Sequence, residues 1–585
     1  MFQRNEGHLQ KSMFGHTSQL PKKQLARLKE SWAGTFYQEV FLRIPEKTFA
    51  VLYSHKPSRP NIPVNILVGL EILKYAFGWT DEQMYDAFCY NVQVRYALGC
   101  QEIGEDHFEL RTVYNFRRRV VKHEQKTGEN LFEQVFKHIV DEQLEAFPIE
   151  TGKLRMDSTQ IMSNIRERTR IQLLVEVLQR VHRMLDEQDQ ESYQKAFEPY
   201  LQGSAEQYIY HLEDGEYESQ LKAIGQLMHQ LVVELEAEYA EEPTYKMLER
   251  VFDEHFKGTE DDDDADPKSG DELSADSLQS PDDLEATYRQ KRGEDYQGYV
   301  ANITETCDPE NDLQLIINVQ LEPNTTDDAE MLAESLPELK ERTDVEEAYT
   351  DGSYSSPEVD DAAEKYQVRQ IQSAIRGRKP SSEKFHLDDF EWEDTEEGQP
   401  SNVTCPEEQA VEVNVGRKED RFLAYFDQTI CQDCEAAQKG QCPTAKLKRT
   451  LRRVLRFSLQ QFRVAQRRQR SAEAQESGQN LRAAVEASIW SIKHPFPNGR
   501  VPVRGKTRVG MAIISPTMMA NVKRIHRYLQ EKKQQGQKNR SRNKKKSILS
   551  NFVLDLTQGF LSLLSWLKRR NGFNFNSMSF YGVRF

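Results

Sequence analysis

The stretch Leu154-Arg155-Met156-Asp157-Ser158-Thr159-Gln160-Ile161, LRMDSTQI, reads as a short strand with an acid in its middle. Apolar residues flank Asp157 and a hydroxyl pair follows it. A carboxylate in such a setting is costly unless something holds its charge. The fold depends on what that something is.

A second acid ends another strand pattern, Asp351 in DVEEAYTDGSYSS, with Gly352 behind it. Strand signals also occur at 298–307 (GYVANITETC) and 313–323 (LQLIINVQLEP), joined by the turn sequence DPEND. Helical patterns, TTDDAEMLAESLPELKER and the Ser-Pro-opened SPEVDDAAEKY, flank the Asp351 strand, and YQVRQIQSAI follows as a further strand. This order predicts an α/β fold. Its mixed five-stranded sheet has three antiparallel neighbours first, then two strands joined by helical crossovers. Such a sheet brings Asp157 and Asp351 to one edge. Two carboxylates there repel unless one is protonated or a divalent cation stands between them. Hard oxygen donors suit Mg²⁺. Taken singly, Asp351-Gly352 also fits a plain turn and Asp157 an Asx-type cap.

A third acid comes from GQNLRAAVEASIWSIKH (478–494), where Arg482, Glu486 and Lys493 return to one face of a helix. A structural ion pair between Arg482 and Glu486 is the simpler alternative.

The set RMDST, AYTDGSYSS and Arg482-x3-Glu486-x6-Lys493 resembles the DDE transposases of bacterial insertion sequences. The likeness is to the insertion-sequence-four-like superfamily and its eleven-eighty-two-type branch. RPNIPVNILVGLEILKYAFGWTDEQMYDAF is similar to that group's N-terminal region. The resemblance spans most of 40–530. It implies an RNase H-like catalytic domain in which Asp157, Asp351 and Glu486 bind Mg²⁺ or Mn²⁺ and carry catalysis. It places Arg482 and Lys493 near the DNA backbone. It also implies DNA as substrate, both terminal inverted repeats and target, a homodimer in the synaptic complex, and a bacterial cytoplasmic, nucleoid-associated location. Gln479 stands where the family usually has a Tyr. Ser158 and Thr159 orient Asp157 or touch phosphate, with packing the simpler role for Thr159. Two rivals are a non-catalytic DNA-binding protein derived from a transposase and a glycosidase-like carboxylate pair. The second leaves the basic C-terminal half unexplained.

The chain has 585 residues and a net charge of -16, which by itself argues against nucleic acid, but the charge is segregated. Asp261 to Asp264 form an acidic run, whereas residues 445–470 hold ten Lys/Arg and no acid, and 499–546 hold fifteen against Glu531 alone. Arg504, Lys506, Arg508, Lys523 and Arg524 are expected on a basic strand–helix unit that grips phosphates. Near the N-terminus, a Pro63-opened helix ends at Gly78 and a Thr80 capping box starts the next. This pair is either a DNA reader or a packing unit. TVYNFRRRVVKHEQ adds Arg117, Arg118, Arg119 and Lys122 on one helical segment.

Of the seven cysteines, Cys431-x2-Cys434 has zinc-ligand spacing, and Cys405 and Cys442 complete a possible four-thiolate structural site. Free thiols are the alternative. Cys89, Cys100 and Cys307 read as core residues, and His494 and His526 as ordinary polar ones. The N-terminus lacks a signal-peptide core. Residues 547–567 read as an amphipathic helix, interrupted by Asn551, Asp555 and Gln558, that packs on a core or a partner.

The expected division begins with a disordered 1–20 and a helical DNA-binding domain at 21–148. The first part of the RNase H-like domain is 149–164 with 286–380. A helical insertion with an acidic linker, 165–285, interrupts it. Residues 381–445 are an irregular Cys-containing region. The Glu-bearing helix and basic segment occupy 446–530, and a basic tail with the amphipathic helix 531–585.

Overall fold

The computed structural model describes residues 1–571, except 10–14, 16–18, 55, 57–58, 101–106, 211, 213–214, 258–264, 374–382, 396–397, 419, 449 and 477–480. The run Asp261 to Asp264 and Gln479 therefore lie outside the described residues. The chain forms two compact units, Met1–Lys523 and Arg524–Phe585.

The first unit begins with a helical region built round the helix Val64–Phe77, buried at every position from Val64 to Ala76. Its apolar residues cover the whole circumference, so other helices must surround it. Gly78 ends it at φ 65°, a conformation that costs a residue with a Cβ. Thr80 then caps Asp81–Tyr90 through a reciprocal box with Gln83. Glu71, fully buried on the central helix, accepts from Arg117 at 2.7 Å, and Arg117 also donates to Asp81 at 2.7 Å. A buried carboxylate with a charge-assisted donor satisfies the rule that buried charges are paired. Residues 1–9, expected to be disordered, are packed instead. Asn5 donates to Glu46 and Asn65, and the His8 ring meets Phe41 edge-on.

The main sheet follows. Strand β1 is Lys153–Met162, β2 Thr287–Lys291, β3 Glu294–Thr306, β4 Ile316–Pro323, β5 Glu347–Thr350 and β6 Arg369–Gln372. The order is β4-β3-β1-β5-β6. β1 is antiparallel to β3 and parallel to β5, and β5 is parallel to β6. Helices Asp328–Arg342 and Pro357–Lys365 make the two crossovers, the second capped by Ser356 with Pro357 at its start. The expected five strands carry a sixth, because β2 pairs with the first half of β3 ahead of β4.

Between β1 and β2 lies the helical insertion, whose main helices Arg170–Met184, Tyr217–Tyr239 and Pro243–His255 share their own apolar core. Residues 265–285 belong to the expected acidic linker, whose composition cannot fold alone. They join that structure because Ala265 and Leu278 are buried in its core and Asp283 is a node. Asp283 accepts from Ser163, Tyr299 and the Gly505 amide.

Residues 381–445 were expected to be irregular. Their described part contributes five strands to an antiparallel six-stranded sheet, from Glu391–Asp394 to Ala445–Lys446, completed by Arg452–Ser458. Alternating Phe422, Ala424 and Phe426 against Leu455 and Phe457 supplies a core that its polar composition concealed. The last helix spans Lys506–Asn571, and the residues 494–505 that lead into it form no strand, contrary to the strand–helix expectation. In the first unit it buries Val509, Ile513, Met518 and Val522, and Asn521 exchanges two hydrogen bonds with the backbone of Ile316. In the second unit Leu556, Phe560, Leu563 and Leu564 are exposed on a helix. Among the described residues no helix is long and apolar enough to cross a membrane.

Candidate active site

Three distant segments meet on the sheet. β1 and β5 run parallel, with Leu154 opposite Ala348 and Arg155 opposite Tyr349. The same step carried two residues on brings Asp157 level with Asp351, the residue after β5. Parallel neighbours present their carboxyl ends on one side, where α/β sheets form sites. Asp157 is 9% exposed, and its two oxygens accept from the Ser158 amide at 3.0 Å and from Arg482 at 2.8 Å. The same Arg482 nitrogen lies 3.9 Å from Asp351.

Burial raises the Asp157 carboxyl above its ordinary range, Arg482 opposes the shift and Asp351 adds to it. Burial works against the Arg482 charge too, but Asp157, Asp351 and Glu486 outweigh it and hold the guanidinium charged. The two partners thus lean opposite ways. The ionised pair is the state that fits a 2.8 Å charge-assisted bond.

Asp351 accepts from the amide of Ser353 at 2.7 Å and from its hydroxyl. That hydroxyl also lies 2.5 Å from Asp328, an 8% exposed residue at the start of its helix. One hydroxyl proton serves only one carboxylate at a time. Asp328 is a fourth acid that sequence reading passed over, since an Asp at a helix start reads as a cap. Beneath them Tyr354 is buried and donates to Asn302 at 2.8 Å. Burial, then Asp328, Asp157 and Asp351, push its hydroxyl well above the usual range, so it stays neutral.

Glu486 lies on the first turn of the helix Val485–Lys493, while Arg482 belongs to a separate 3₁₀ turn, Leu481–Ala484. The expected single helix over 478–494 is therefore broken, and Arg482 pairs with Asp157. Glu486 is exposed and makes no hydrogen bond or ion pair among the described residues. Its helix is fixed to the sheet at both ends. Arg155 of β1 donates to Glu305 of β3 at 2.5 Å and to the Leu481 carbonyl at 3.0 Å, and Ser488 donates to Glu305 at 2.7 Å. At the far end Lys493 donates to Thr159 at 3.1 Å and to the Gln160 carbonyl at 2.9 Å. Arg155, Glu305 and Ser488 were missed because they look unremarkable until strand pairing sets Arg155 opposite Glu305.

Among the described residues no three His, Cys, Asp or Glu are arranged to hold a metal ion. The donor set nonetheless suits a hard divalent cation. The carboxylates of Asp157 and Asp351 already share one positive group, and Glu486 lies within its field.

The cations expected on DNA are mostly engaged elsewhere. Lys493 is largely buried, and burial, with Lys291 nearby, lowers its ammonium below the ordinary range. Arg504 pairs with Asp282 at 2.7 Å and Lys506 with Glu322 at 2.7 Å, whereas Arg508 is exposed. His494 stacks on the exposed Trp490 with ring centres 4.6 Å apart. Cys405, Cys434 and Cys442 all act on the half-buried Cys431. Burial pushes that thiol up, Arg453 opposes, and the three other thiols add to the rise. Cys405 and Cys431 pack against the core of the second sheet, and no three of the four cysteines adopt a ligating arrangement.

Residues 404–526 match the family described as Transposase DDE domain. That segment is similar to a transposase DDE domain. A second match, Transposase domain (DUF772), covers residues 26–119. The DDE segment contains Arg482, Glu486, Lys493 and the four cysteines, and Asp157 and Asp351 precede it. The DUF772 segment takes in the buried Val64–Phe77 helix and its neighbours. No curated protein and no solved structure matches the chain.

Proposed function

We propose that this transposase-family chain catalyses metal-dependent cleavage of insertion-sequence ends and their joining to target DNA, as a member of the eleven-eighty-two-type branch with an RNase H-like catalytic domain. The observation that carries the reading is the meeting of Asp157 and Asp351 from parallel β1 and β5 on one guanidinium, beside the Glu486 helix. The strand order and the two family matches support it.

Asp157, Asp351 and Glu486 would hold Mg²⁺ or Mn²⁺. When bound, the ions supply a water of lowered pKa and neutralise charge building on the phosphate. The chain's own residues do the rest. Arg155, Glu305 and Ser488 fix the Glu486 helix beside the pair. Arg482 keeps the two aspartates close while they are unliganded, then turns its guanidinium to a DNA phosphate. In cleavage a water oxygen bonds to phosphorus, the bond to the 3′ oxygen breaks, and that oxygen takes a proton. In joining, the freed 3′-OH attacks a target phosphate, the target's own 3′ oxygen leaves, and the attacking proton passes to it. Two copies, one per end, would make the synaptic homodimer. A structural Zn²⁺ on Cys405, Cys431, Cys434 and Cys442 is a second proposal, supported by the Cys431-x2-Cys434 spacing and by Cys405 and Cys431 packing on one core. One zinc per chain by metal analysis, lost in Cys431→Ser with Cys434→Ser, is the expected result.

The main test is strand cleavage of duplexes carrying the inverted repeats that flank the coding sequence, with Mg²⁺ or Mn²⁺. Asp157→Asn, Asp351→Asn and Glu486→Gln should each lose more than about a thousandfold in rate, or some 4 kcal/mol of barrier. Variants that all cut like the parent would overturn the assignment. A parent that binds these duplexes but never cuts them would favour a DNA-binding protein derived from a transposase.

A further inference from the structure

The helix pair Val64–Phe77 and Asp81–Tyr90, the obvious candidate for reading DNA, is built for packing. Its first member is buried along its length, and its second opens with Asp81 and Glu82 and exposes Asp86, which a phosphate backbone repels. A different helix of the same region has the opposite character. Leu110–Thr127 spans 18 residues, about 27 Å, and turns Val113, Phe116 and Val120 into the core. Arg117 is spent inside on Glu71 and Asp81, and Arg119 lies 5.1 Å from the Tyr53 ring centre.

On the outer side stand Arg111, Arg118, Lys122 and Lys126, all exposed, at separations of seven, four and four residues. At 3.6 residues per turn these positions share one face. Asn115 and Gln125 lie on it as well, and Arg118 donates to Asn115 at 2.8 Å. No Asp or Glu shares this face. The only acid of the helix, Glu124, lies on the other side, where burial raises its carboxyl and Thr507 opposes the shift. Among the described residues none of the four cations is in an ion pair.

We infer that this face lies in the major groove of a DNA duplex, its four cations on phosphates and Asn115 and Gln125 at base edges. Charge complementarity selects the occupant, a polyanion that meets four positive charges and no negative one along a helix. The groove is wide enough for a helix, and amide side chains pair with adenine edges there. Phosphate contacts of this kind set affinity and register, while base contacts set sequence preference. The inference rests on the transposase reading only for which duplex is recognised, and binding requires no cleavage.

The test uses the full chain, with fluorescence anisotropy on a labelled terminal-repeat duplex and a scrambled duplex over a salt series. Arg118→Ala with Lys122→Ala should weaken both complexes by about tenfold or more and flatten the slope of log affinity against log salt by roughly 2, one for each lost phosphate contact. Asn115→Ala should reduce the preference for the terminal repeat by about fivefold or more, with little change on the scrambled duplex. Lys22→Ala with Lys23→Ala, on another exposed helix, should bind like the parent. Far-UV circular dichroism and melting confirm that each variant is folded. Unchanged affinity and salt slope in the Arg118/Lys122 variant would overturn the inference, as would a loss equalled by the Lys22/Lys23 variant or tighter binding to heparin than to duplex. Asp157→Asn should still bind, so failed cleavage with intact binding counts against the catalytic reading alone.

Discussion

Helix Leu110–Thr127 and helix Leu459–Glu476 are both rich in arginine, and in sequence both look like polyanion binders. In the second, Arg463 donates to Asp361 and Glu364, Arg467 to Asp360 and Arg468 to Asp388. The acidic crossover helix Pro357–Lys365 supplies most of those partners. In the first, only Arg117 is neutralised internally, and Arg111, Arg118, Lys122 and Lys126 face outward. Density of positive charge therefore does not choose a helix's partner. What chooses is whether the fold sets carboxylates opposite it.

The largest effect expected from this comparison is on stability. Arg467 and Asp360 are 2.8 Å apart with side chains 8% and 9% exposed. Burial lowers the Arg467 group and raises the Asp360 carboxyl, so both shifts lean against the charged forms. Arg467→Ala leaves a buried carboxylate unpaired and should cost about 3–5 kcal/mol in urea unfolding, whereas Arg467→Met with Asp360→Leu should recover most of it. If the single variant melts like the parent, the second helix is no more committed to internal pairing than the first.

Next comes a buried case with cations and no acid. His255 has burial, then Arg170 and Lys268, lowering its imidazole to about 4, and neither ring nitrogen has a partner among the described residues. The unfolded histidine takes a proton near pH 6.5, and the folded one resists until about pH 4. Stability is thus complete above pH 6.5 and falls as pH drops from 6.5 to 4, by up to roughly 3 kcal/mol. His255→Leu should flatten that part of a pH series of unfolding midpoints.

A smaller effect is expected at Arg463, whose partners Asp361 and Glu364 are 70% and 33% exposed. Solvent screens this cluster, so Arg463→Ala should cost about 1 kcal/mol. The smallest stability change belongs to the outward face of the first helix. Arg118→Ala should alter the unfolding free energy by less than about 0.5 kcal/mol, its consequence appearing in DNA binding.

Much of the main sheet was legible from residues 298–375, because period-two apolar strands, a turn-rich hairpin and a Ser-Pro helix start are local signals. The positions of Asp157 within β1 and of Asp351 just past β5 were legible for the same reason. Local reading failed where the signal depends on contact across the chain. Residues 381–458 look polar because their strands bury one face only, so the second sheet went unseen. Residues 265–285 lack a core of their own and fold by borrowing that of the insertion. Lys493 looked like a DNA ligand, and its burial against Thr159 and Gln160 makes it an anchor. Asp328 looked like a cap and lies beside Ser353 and Asp351.

By itself the sequence determined the α/β class, the antiparallel strands ahead of two strands joined by helical crossovers, and the acids carried by LRMDSTQI and by the end of the Asp351 strand. Those follow from periodicity, caps and connection lengths, all of them short-range. Only the tertiary structure decided what each charge meets. It set Arg482 between Asp157 and Asp351, Arg155 against Glu305, and an acidic helix against one arginine helix but not the other. The electrostatic partner of a side chain depends on distance and burial in three dimensions, and residues hundreds of positions apart set both.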